Sequence, residues 1–276
     1  MAIAITSTVL SRPARFAARH PSLTTILKNV GPFVPLLALW QVLVWLRVSP
    51  PSFLPAPASL VPAFTSLAER SNLFGQLSLT VYRVAAAAAI GLGAGVLLGA
   101  AVGTSRTLYT SLRGIIDYLQ AVGEIGWLPL FIIWSGFNDR TIILTVAYTI
   151  FFPVFYGTVS GLLTVPKTLS DSVLTLGGGR WHVLREVLLP GALPAIITGL
   201  RVGMGFGWRT VILAEMLVAQ AGLGVLMFQA RSFFRVDWVL VGMVLSGMLW
   251  LLTDRFVLLP LEAHTIQHWG IQVVEA

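Results

Sequence analysis

The side chains most able to do chemistry in this sequence are ionisable groups that interrupt long apolar runs. Glu124 lies near the middle of the apolar run 114–134, and Arg209 and Glu215 lie within the run 195–217. An ionisable group at the centre of a bilayer costs roughly 2.5–3.5 kcal/mol even on insertion scales. We therefore expect these groups to pair with one another or to line a polar pathway.

Other kinds of site have no support in the sequence. A phosphate-binding loop needs a lysine directly after a glycine, whereas Lys28 follows Leu27 and Lys167 follows Pro166. The histidines are scattered outside the apolar runs, and we expect the two that are four residues apart to lie on a solvated tail helix; they are His20, His182, His264 and His268. The chain has no cysteine. We therefore predict no catalytic residues, no metal site and no cofactor in this chain, which is not an enzyme on its own.

Composition indicates an integral membrane protein. Apolar residues make up 56% of the 276 residues, charged residues only 11%, and the mean hydropathy is +0.85. Ordinary soluble domains carry roughly 25% charged residues. The net charge of +7 comes mainly from arginine. In a membrane protein such basic residues indicate which side of the membrane each loop faces, and they are not taken as a sign of nucleic-acid binding.

The apolar runs predict an all-α fold with about six transmembrane helices. A basic tail (1–29) comes first, followed by the first span with an external loop (30–80), a core that holds the other spans (81–259) and a polar tail (260–276). Residues 63–79 are predicted to form an amphipathic helix at the membrane surface, and 218–237 a mixed loop. The predicted spans are 30–46, 81–102, 114–134, 141–161, 195–217 and 238–259.

Glycines recur every four residues in the second predicted span, at Gly91, Gly95, Gly99 and Gly103. Positions four apart share one helix face, so this row allows a neighbouring helix to approach closely. We expect it to contribute to a homodimer, because cyclic two-fold pairs are the commonest closed assemblies.

Basic residues predict the orientation. Cytoplasmic segments of membrane proteins carry more Lys and Arg than external ones. With the N-terminus inside, the cytoplasmic segments hold Arg12, Arg15, Arg19, Lys28, Arg106, Arg113, Lys167, Arg180, Arg185 and Arg255. The external segments then hold Arg47, Arg70, Arg140, Arg231 and Arg235. Both termini and the loop 164–194 are therefore predicted to be cytoplasmic.

The loop 164–194 combines two short amphipathic helices with a glycine break. Leu169, Val173 and Leu176 share one helix face, and Gly177-Gly178-Gly179 then stops the helix because glycine readily adopts a left-handed exit. A second amphipathic turn begins near Trp181, and Pro190 and Pro194 are expected to close the segment.

This loop resembles the EAA loop of binding-protein-dependent ABC transporter permeases. Asp171-Ser172-Val173 stands in place of Glu-Ala-Ala, Gly177 is the motif glycine, and Val187, Leu189 and Pro190 complete the pattern. The resemblance implies a type I ABC importer permease fold and a coupling helix that docks on a cytoplasmic ATPase subunit. It assigns ATPase coupling to Ser170, Asp171, Leu174, Leu176, Gly177, Trp181, Leu189 and Pro190. An ordinary amphipathic loop between two spans is the alternative.

Further motifs are similar to the branch of that family that imports nitrate, sulfonates, taurine or bicarbonate. They are Leu-Pro-Leu at 128–130, Trp-Ser-Gly-Phe at 134–137, Phe-Phe-Pro at 151–153, Thr-Gly-Leu-Arg at 198–201, Ala-Glu-Met at 214–216 and Gly-Leu-Gly at 222–224. The resemblance implies import of a small anionic solute across the bacterial inner membrane. It implies an external solute-binding protein, a second permease copy, and ATP with Mg²⁺ on the partner ATPase. Glu124 departs from the branch, which has a proline-containing stretch at this place.

For the pathway we predict Glu124, Trp127, Arg209 and Glu215. Glu124 and Arg209 lie at similar heights in helices that run the same way, so they are candidates for an ion pair, for contact with the solute, or for both. A secondary transporter of a small organic ion is the alternative function, and a membrane scaffold a third. The two halves of the chain show no repeat that would favour a secondary transporter.

Overall fold

The structure is a computed structural model that describes residues 31–268 except Pro32 and Pro51. The predicted basic tail 1–29 and the residues after His268 lie outside this range. The described residues form helices joined by short turns, without β-strands, as the all-α prediction requires. The chain divides into two units at Pro51, and the first contributes helix α1 (Phe33–Trp45).

The second unit holds all the remaining helices. Its described elements are a 3₁₀ turn (Pro57–Ser59), α2 (Leu60–Arg70), α3 (Leu73–Thr104), α4 (Arg106–Val122), α5 (Glu124–Ser135), α6 (Asp139–Thr164), α7 (Lys167–Thr175), α8 (Arg180–Val218), α9 (Leu223–Ser232), α10 (Val236–Thr253) and α11 (Leu259–His268). A π-helical turn, Val183–Leu188, lies within α8, and a second, Asp254–Leu258, joins α10 to α11.

Among the described residues, four helices are long and apolar enough to cross a membrane. They are α3, α6, α8 and the helix Val236–Ala263, and the bent pair of α4 and α5 makes a fifth if it counts as one span. The predicted first span is the short apolar helix α1. The predicted count of about six is reached only when both the bent pair and α1 are included.

Helix α6 forms the centre of the second unit. It packs along α3 on one side and along α8 on the other, and its core residues Ile142, Val146, Ile150 and Val154 have no exposed surface. The contacts advance together along α3 and α6, from Gly91 beside Ile150 to Gly103 beside Leu162. Those two helices are therefore parallel, and both end at the same end of the unit.

The glycine row of α3 lies against α6 of the same chain. A Cβ on Gly95 would lie 2.7 Å from Val154 Cγ1, and one on Gly99 would lie 2.7 Å from Thr158 Cβ. The predicted close approach to a neighbouring helix is thus confirmed. Because α6 of the same chain packs on this glycine row, the row gives no support to the predicted homodimer.

The predicted third span is wrong as a single helix. It consists of α4 and α5, which are bent by 89° at Gly123. Gly123 has φ +71°, a conformation that side-chain-bearing residues rarely adopt and that ends an α-helix. Glu124 is therefore the first residue of α5 and not a mid-helix residue.

Other boundaries also differ from the prediction. The amphipathic helix 63–79 ends at Arg70, and α3 begins at Leu73 after Asn72, which has φ +37°. The predicted loop 218–237 contains α9, and the predicted tail begins inside a helix that continues to His268. Leu73 at the start of α3 and Leu223 at the start of α9 are almost fully buried, so apolar packing accounts for the beginnings of these two helices.

We predict that Gly95→Ala lowers the melting temperature of the detergent-solubilised protein, whereas Gly93→Ala leaves it unchanged or raises it. Alanine improves helix propensity by about 1 kcal/mol at both positions. At Gly95 the new methyl meets Val154 and the Phe151 carbonyl, and overpacking of this kind costs roughly 1–3 kcal/mol. At Gly93 it meets nothing within 4 Å. Equal melting temperatures for the two variants would contradict this packing.

Candidate functional site

The elbow segment, Lys167–Leu188, lies at the end of the unit where α6 ends and α8 begins. Helix α7 ends at Thr175, and Gly177, two residues later, has φ +86°. The Gly178 amide donates to the Val173 carbonyl at 2.9 Å, and the Gly177 amide donates to the Leu174 carbonyl at 3.1 Å. This pair of bonds is the Schellman motif, with glycine at its left-handed position. The predicted glycine exit from the helix is confirmed.

Val173, which replaces a small residue of the EAA pattern, packs beneath the elbow. A Cβ on Gly178 would lie 2.6 Å from Val173 Cγ1, so the valine occupies the space that a larger residue at 178 would need. The bulk at position 173 and the absence of a side chain at position 178 are therefore complementary.

Apolar side chains project from the elbow segment. Leu174 is 47% exposed, Trp181 66% and Leu176 88%. Leu174 and Trp181 border a groove of about 470 Å³ between the elbow segment and the end of α3. Of the other predicted coupling residues, Asp171 and Gly177 are exposed, whereas Ser170, Leu189 and Pro190 are half-buried.

The predicted closure of this segment by two prolines is wrong. Arg180–Val218 is one helix of 39 residues that runs through both Pro190 and Pro194. Proline has no amide hydrogen to donate, and the helix widens into the π-helical turn Val183–Leu188 directly before Pro190. Such single π-turns accommodate local irregularity without ending a helix. The second half of the elbow segment is thus continuous with a membrane-spanning helix.

A second candidate site lies at the bend between α4 and α5. A cavity of about 270 Å³ is lined by residues of four helices, namely Gln120, Glu124, Tyr148, Thr149, Phe152 and Phe206, with Gly123 and Pro153. Two tyrosines of α6 hold α4 in place: Tyr156 donates to Asp117 at 2.6 Å, and Tyr148 donates to the Leu119 carbonyl. The bend is therefore anchored on the central helix.

Glu124 and Arg209 do not form the predicted ion pair in this chain. The Thr210 hydroxyl donates to Glu124 Oε1 at 3.2 Å, whereas Arg209 is exposed with its Cζ 5.7 Å from the centroid of the Phe206 ring. The similar heights of Glu124 and Arg209 along their helices do not determine how each helix is rotated about its axis, and that rotation decides which side chains meet. Trp127 lies one turn beyond Glu124, with its ring 5.8 Å from that of Tyr148.

Glu215 lies in a buried network at the end of the unit opposite the elbow segment, and it does not line a cavity. Its side chain has no exposed surface, and Arg83 Nη1 is 2.6 Å from its Oε1. Thr80 and the Gly224 amide also donate to it, at 2.9 and 2.8 Å. In this conformation a solute cannot reach Glu215, so the geometry gives it a structural role.

Arg83 is the functional residue that the sequence interpretation missed. It joins two carboxylates, because its Nη2 also lies 2.6 Å from Asp139 Oδ1, and it links the helices α3, α6 and α8. The signal available in the sequence was that Arg83 lies inside the second predicted span, where an unpaired charge is costly. Arg201, an arginine within the predicted span 195–217, donates to Asp254 at 2.9 Å and to Glu262 at 3.0 Å.

The chain resembles known proteins over most of its length. Residues 91–259 match the family described as "binding-protein-dependent transport system inner membrane component". The taurine transport system permease protein TauC of Escherichia coli is 32% identical over 254 residues, which are 90% of this chain and 92% of TauC. The nitrate import permease protein NrtB of Synechocystis is 26% identical over 80% of this chain and 83% of NrtB.

A solved structure shows the same fold. The structure described as inward-facing conformations of the MetNI methionine ABC transporter matches with a TM-score of 0.61 at 17% identity. The match covers 70% of this chain and 95% of that chain.

We predict that Arg83→Met destabilises the protein much more than Glu215→Gln. Removing Arg83 leaves a fully buried carboxylate without its ion-pair partner, which costs about 3–5 kcal/mol. Glutamine at 215 removes the charge, and Arg83 keeps Asp139. Thermal unfolding in detergent measures the difference, and the double variant Arg83→Met/Glu215→Gln should recover part of the loss. Equal stability of the two single variants would show that the network does not hold these helices together.

Proposed function

This chain belongs to the family of binding-protein-dependent transport system inner membrane components, and we propose that it carries a small anionic solute through the bacterial inner membrane. It is a multi-pass permease of an ATP-driven ABC importer, and this membership decides against a secondary transporter. An external solute-binding protein delivers the solute. ATP hydrolysis takes place on a separate ATPase, which holds ATP and Mg²⁺.

The elbow segment is the surface on which the ATPase docks. The observation that carries this proposal is the cluster of exposed apolar side chains, Leu174, Leu176 and Trp181, on a segment with well-defined hydrogen-bonded geometry. Exposed apolar side chains rimmed by polar residues mark protein interaction sites. Asp171 and Arg180, both exposed, supply such a rim.

The elbow segment faces the cytoplasm, and both termini lie on that side. Lys167, Arg180, Arg185 and Arg106 all lie in or beside the elbow end of the unit. Positive charge accumulates on the cytoplasmic side of membrane proteins. This is also the side on which an ATPase finds ATP.

The solute passes the bend between α4 and α5. Glu124, Trp127 and Arg209 lie on the two helices, α5 and α8, that meet there through the Glu124–Thr210 hydrogen bond. Arg209 is exposed and supplies positive potential for an anion. The taurine and nitrate permeases named above support an anionic solute.

Two copies of the chain form the complete pathway. A single copy is as long as one permease chain, since it spans 92% of TauC, and two-fold pairs are the commonest closed assembly. Crosslinking in membranes distinguishes a pair of identical chains from a pair with another permease. Exclusive recovery of the second kind would contradict this part of the proposal.

Uptake into proteoliposomes tests the function as a whole. We expect uptake of a radiolabelled sulfonate only when the permease is co-reconstituted with its partner ATPase, its binding protein and ATP. Uptake driven by an ion gradient without the ATPase would contradict the proposal.

We predict that Gly177→Val weakens co-purification of the ATPase while Gly179→Val does not. A side chain in the left-handed conformation costs about 1–2 kcal/mol, which corresponds to a roughly 5–30-fold loss of the docking geometry. Gly179 has φ −87° and ψ 172°, an extended conformation that valine adopts readily. Both variants should retain wild-type helicity by circular dichroism. Equal ATPase recovery with the two variants would show that the elbow geometry is not needed for docking.

A further inference from the structure

A long apolar groove of about 890 Å³ lies between α3, α8 and α11 and begins at the elbow segment. Positions three or four apart share one helix face, and the groove follows a single such face of α8. From Arg185 to Leu200 it extends for about 22 Å at 1.5 Å per residue. Its lining residues on α8 include Arg185, Leu189, Leu193, Ile196, Ile197 and Leu200.

The wall that α3 supplies is apolar and recessed. Val96 and Leu97 border the groove together with Gly93, where an added Cβ would meet nothing within 4 Å. On α11 the groove is bordered by Thr265, whose hydroxyl already donates to the Leu261 carbonyl at 2.7 Å. A groove whose walls ask for no hydrogen bond along their length suits a hydrocarbon chain.

Arg185 places an unneutralised positive charge at the elbow end of this groove. It is exposed, and among the described residues no carboxylate lies within ion-pair distance of it. The nearby acids Asp254 and Glu262 both pair with Arg201, at 2.7 and 3.0 Å. Glu186 is adjacent in sequence, and residues one apart do not face each other on a helix. Arg185 is therefore available to an anionic group from outside the chain.

Charge also argues against the N-terminal part of the chain as the occupant of the groove. The first acidic residue in the sequence is Glu69. Neither α1 nor the residues before it can therefore bring a carboxylate to Arg185. A helix without acids would cover the apolar walls and leave the guanidinium without a partner.

The length of the groove matches one leaflet of a bilayer. A bilayer with its headgroup regions is about 40–45 Å thick, so that one leaflet measures about 20–22 Å. The groove, at about 22 Å, has the same length and carries its positive group at the end where the headgroups lie. Basic pockets between transmembrane helices bind anionic lipid headgroups in this way.

We infer that this groove binds one anionic phospholipid. The Arg185 guanidinium binds the phosphate, and an acyl chain lies in the recess at Gly93, between α3 and α8. This site goes beyond the proposed transport function and uses it only to identify the leaflet as the cytoplasmic one. Because Arg185 belongs to the π-helical turn of the elbow segment, the lipid headgroup touches the same segment that docks the ATPase.

Photo-labelling of the full-length wild-type chain in phosphatidylcholine nanodiscs tests the site without any variant. The probes are phosphatidylglycerol and phosphatidylcholine, each with a diazirine in one acyl chain and each added in trace amount. Peptide mass spectrometry identifies the labelled positions. We expect phosphatidylglycerol to label residues 92–97 and 193–200 more strongly than phosphatidylcholine does, and unlabelled phosphatidylglycerol to compete. On the exposed face of α10 the two probes should label equally.

Three results of this experiment would overturn the inference. Equal labelling of the groove by the two probes would remove the preference for an anionic lipid. Loss of the labelling in excess glycerol phosphate, which has the headgroup chemistry and no acyl chain, would assign Arg185 to a free anion. Absence of label from the groove would show that protein fills it, either α1 or a second copy of the chain.

We predict that Arg185→Gln lowers the preference of the groove for phosphatidylglycerol roughly fivefold, the effect of one basic side chain at an anionic membrane surface. The matched control is Arg106→Gln, which removes an exposed arginine at the same end of the unit that does not line the groove. It should keep the wild-type preference. Equal loss in the two variants would show that general surface charge, and not a site at Arg185, attracts the lipid.

Filling the recess tests the position of the acyl chain. Gly93→Leu should reduce labelling of residues 193–200 by both probes, because the new side chain occupies the space of the acyl chain. Gly247→Leu is the matched control, since an added Cβ on this glycine of α10 also meets nothing within 4 Å. Melting temperatures in detergent verify that both variants fold. Unchanged labelling in Gly93→Leu would overturn the inference, and because neither ATPase nor solute is present, the outcome is independent of the proposed function.

Discussion

Close packing of α6 between two glycine-lined helices is the constraint on which the rest of this structure depends. Lipid tails are as apolar as leucine, so helices in a bilayer associate through van der Waals contact and not through the hydrophobic effect. Gly95 and Gly99 of α3 lie against α6 on one side, and Gly203 and Gly207 of α8 lie against it on the other. A Cβ at Gly95 or Gly99 would lie 2.7 Å from α6, and one at Gly203 or Gly207 would lie 3.1 Å from it, so a side chain at any of these positions would push against α6.

The polar groups of the unit occur where this close packing ends. At one end Arg83 and Glu215 satisfy each other in a buried network. At the bend, Gly123 turns the chain and leaves a space that side chains do not fill. Irregular backbone within the bilayer is tolerated where it is buried in protein or lines a water-filled cavity, and Gly123 lines the cavity at this bend. The buried Arg83–Glu215 network and the cavity beside Glu124 therefore both lie at the limits of this close packing.

Local signals in the sequence predicted much of the fold. The four-residue spacing of glycines on α3 predicted a close contact, and the three consecutive glycines predicted the left-handed exit at Gly177. The pairing of charges was not predictable in this way. Arg83 and Glu215 are 132 positions apart, and their contact depends on how α3 and α8 are rotated about their axes. Hydropathy defines where a helix lies in the sequence but not that rotation, which is also why Glu124 was assigned to the wrong partner.

The continuity of α8 has a mechanical consequence. From Trp181 in the elbow to Thr210 beside the cavity the helix extends on the order of 40 Å at 1.5 Å per residue. Its glycines are held against α6, so it cannot turn without carrying that helix along. The elbow and the wall of the cavity beside Thr210 are thus two ends of one continuous helix. A tilt of about 5° about the elbow, carried along about 40 Å of this helix, would move that wall by roughly 3.5 Å, which is slightly more than the length of one hydrogen bond.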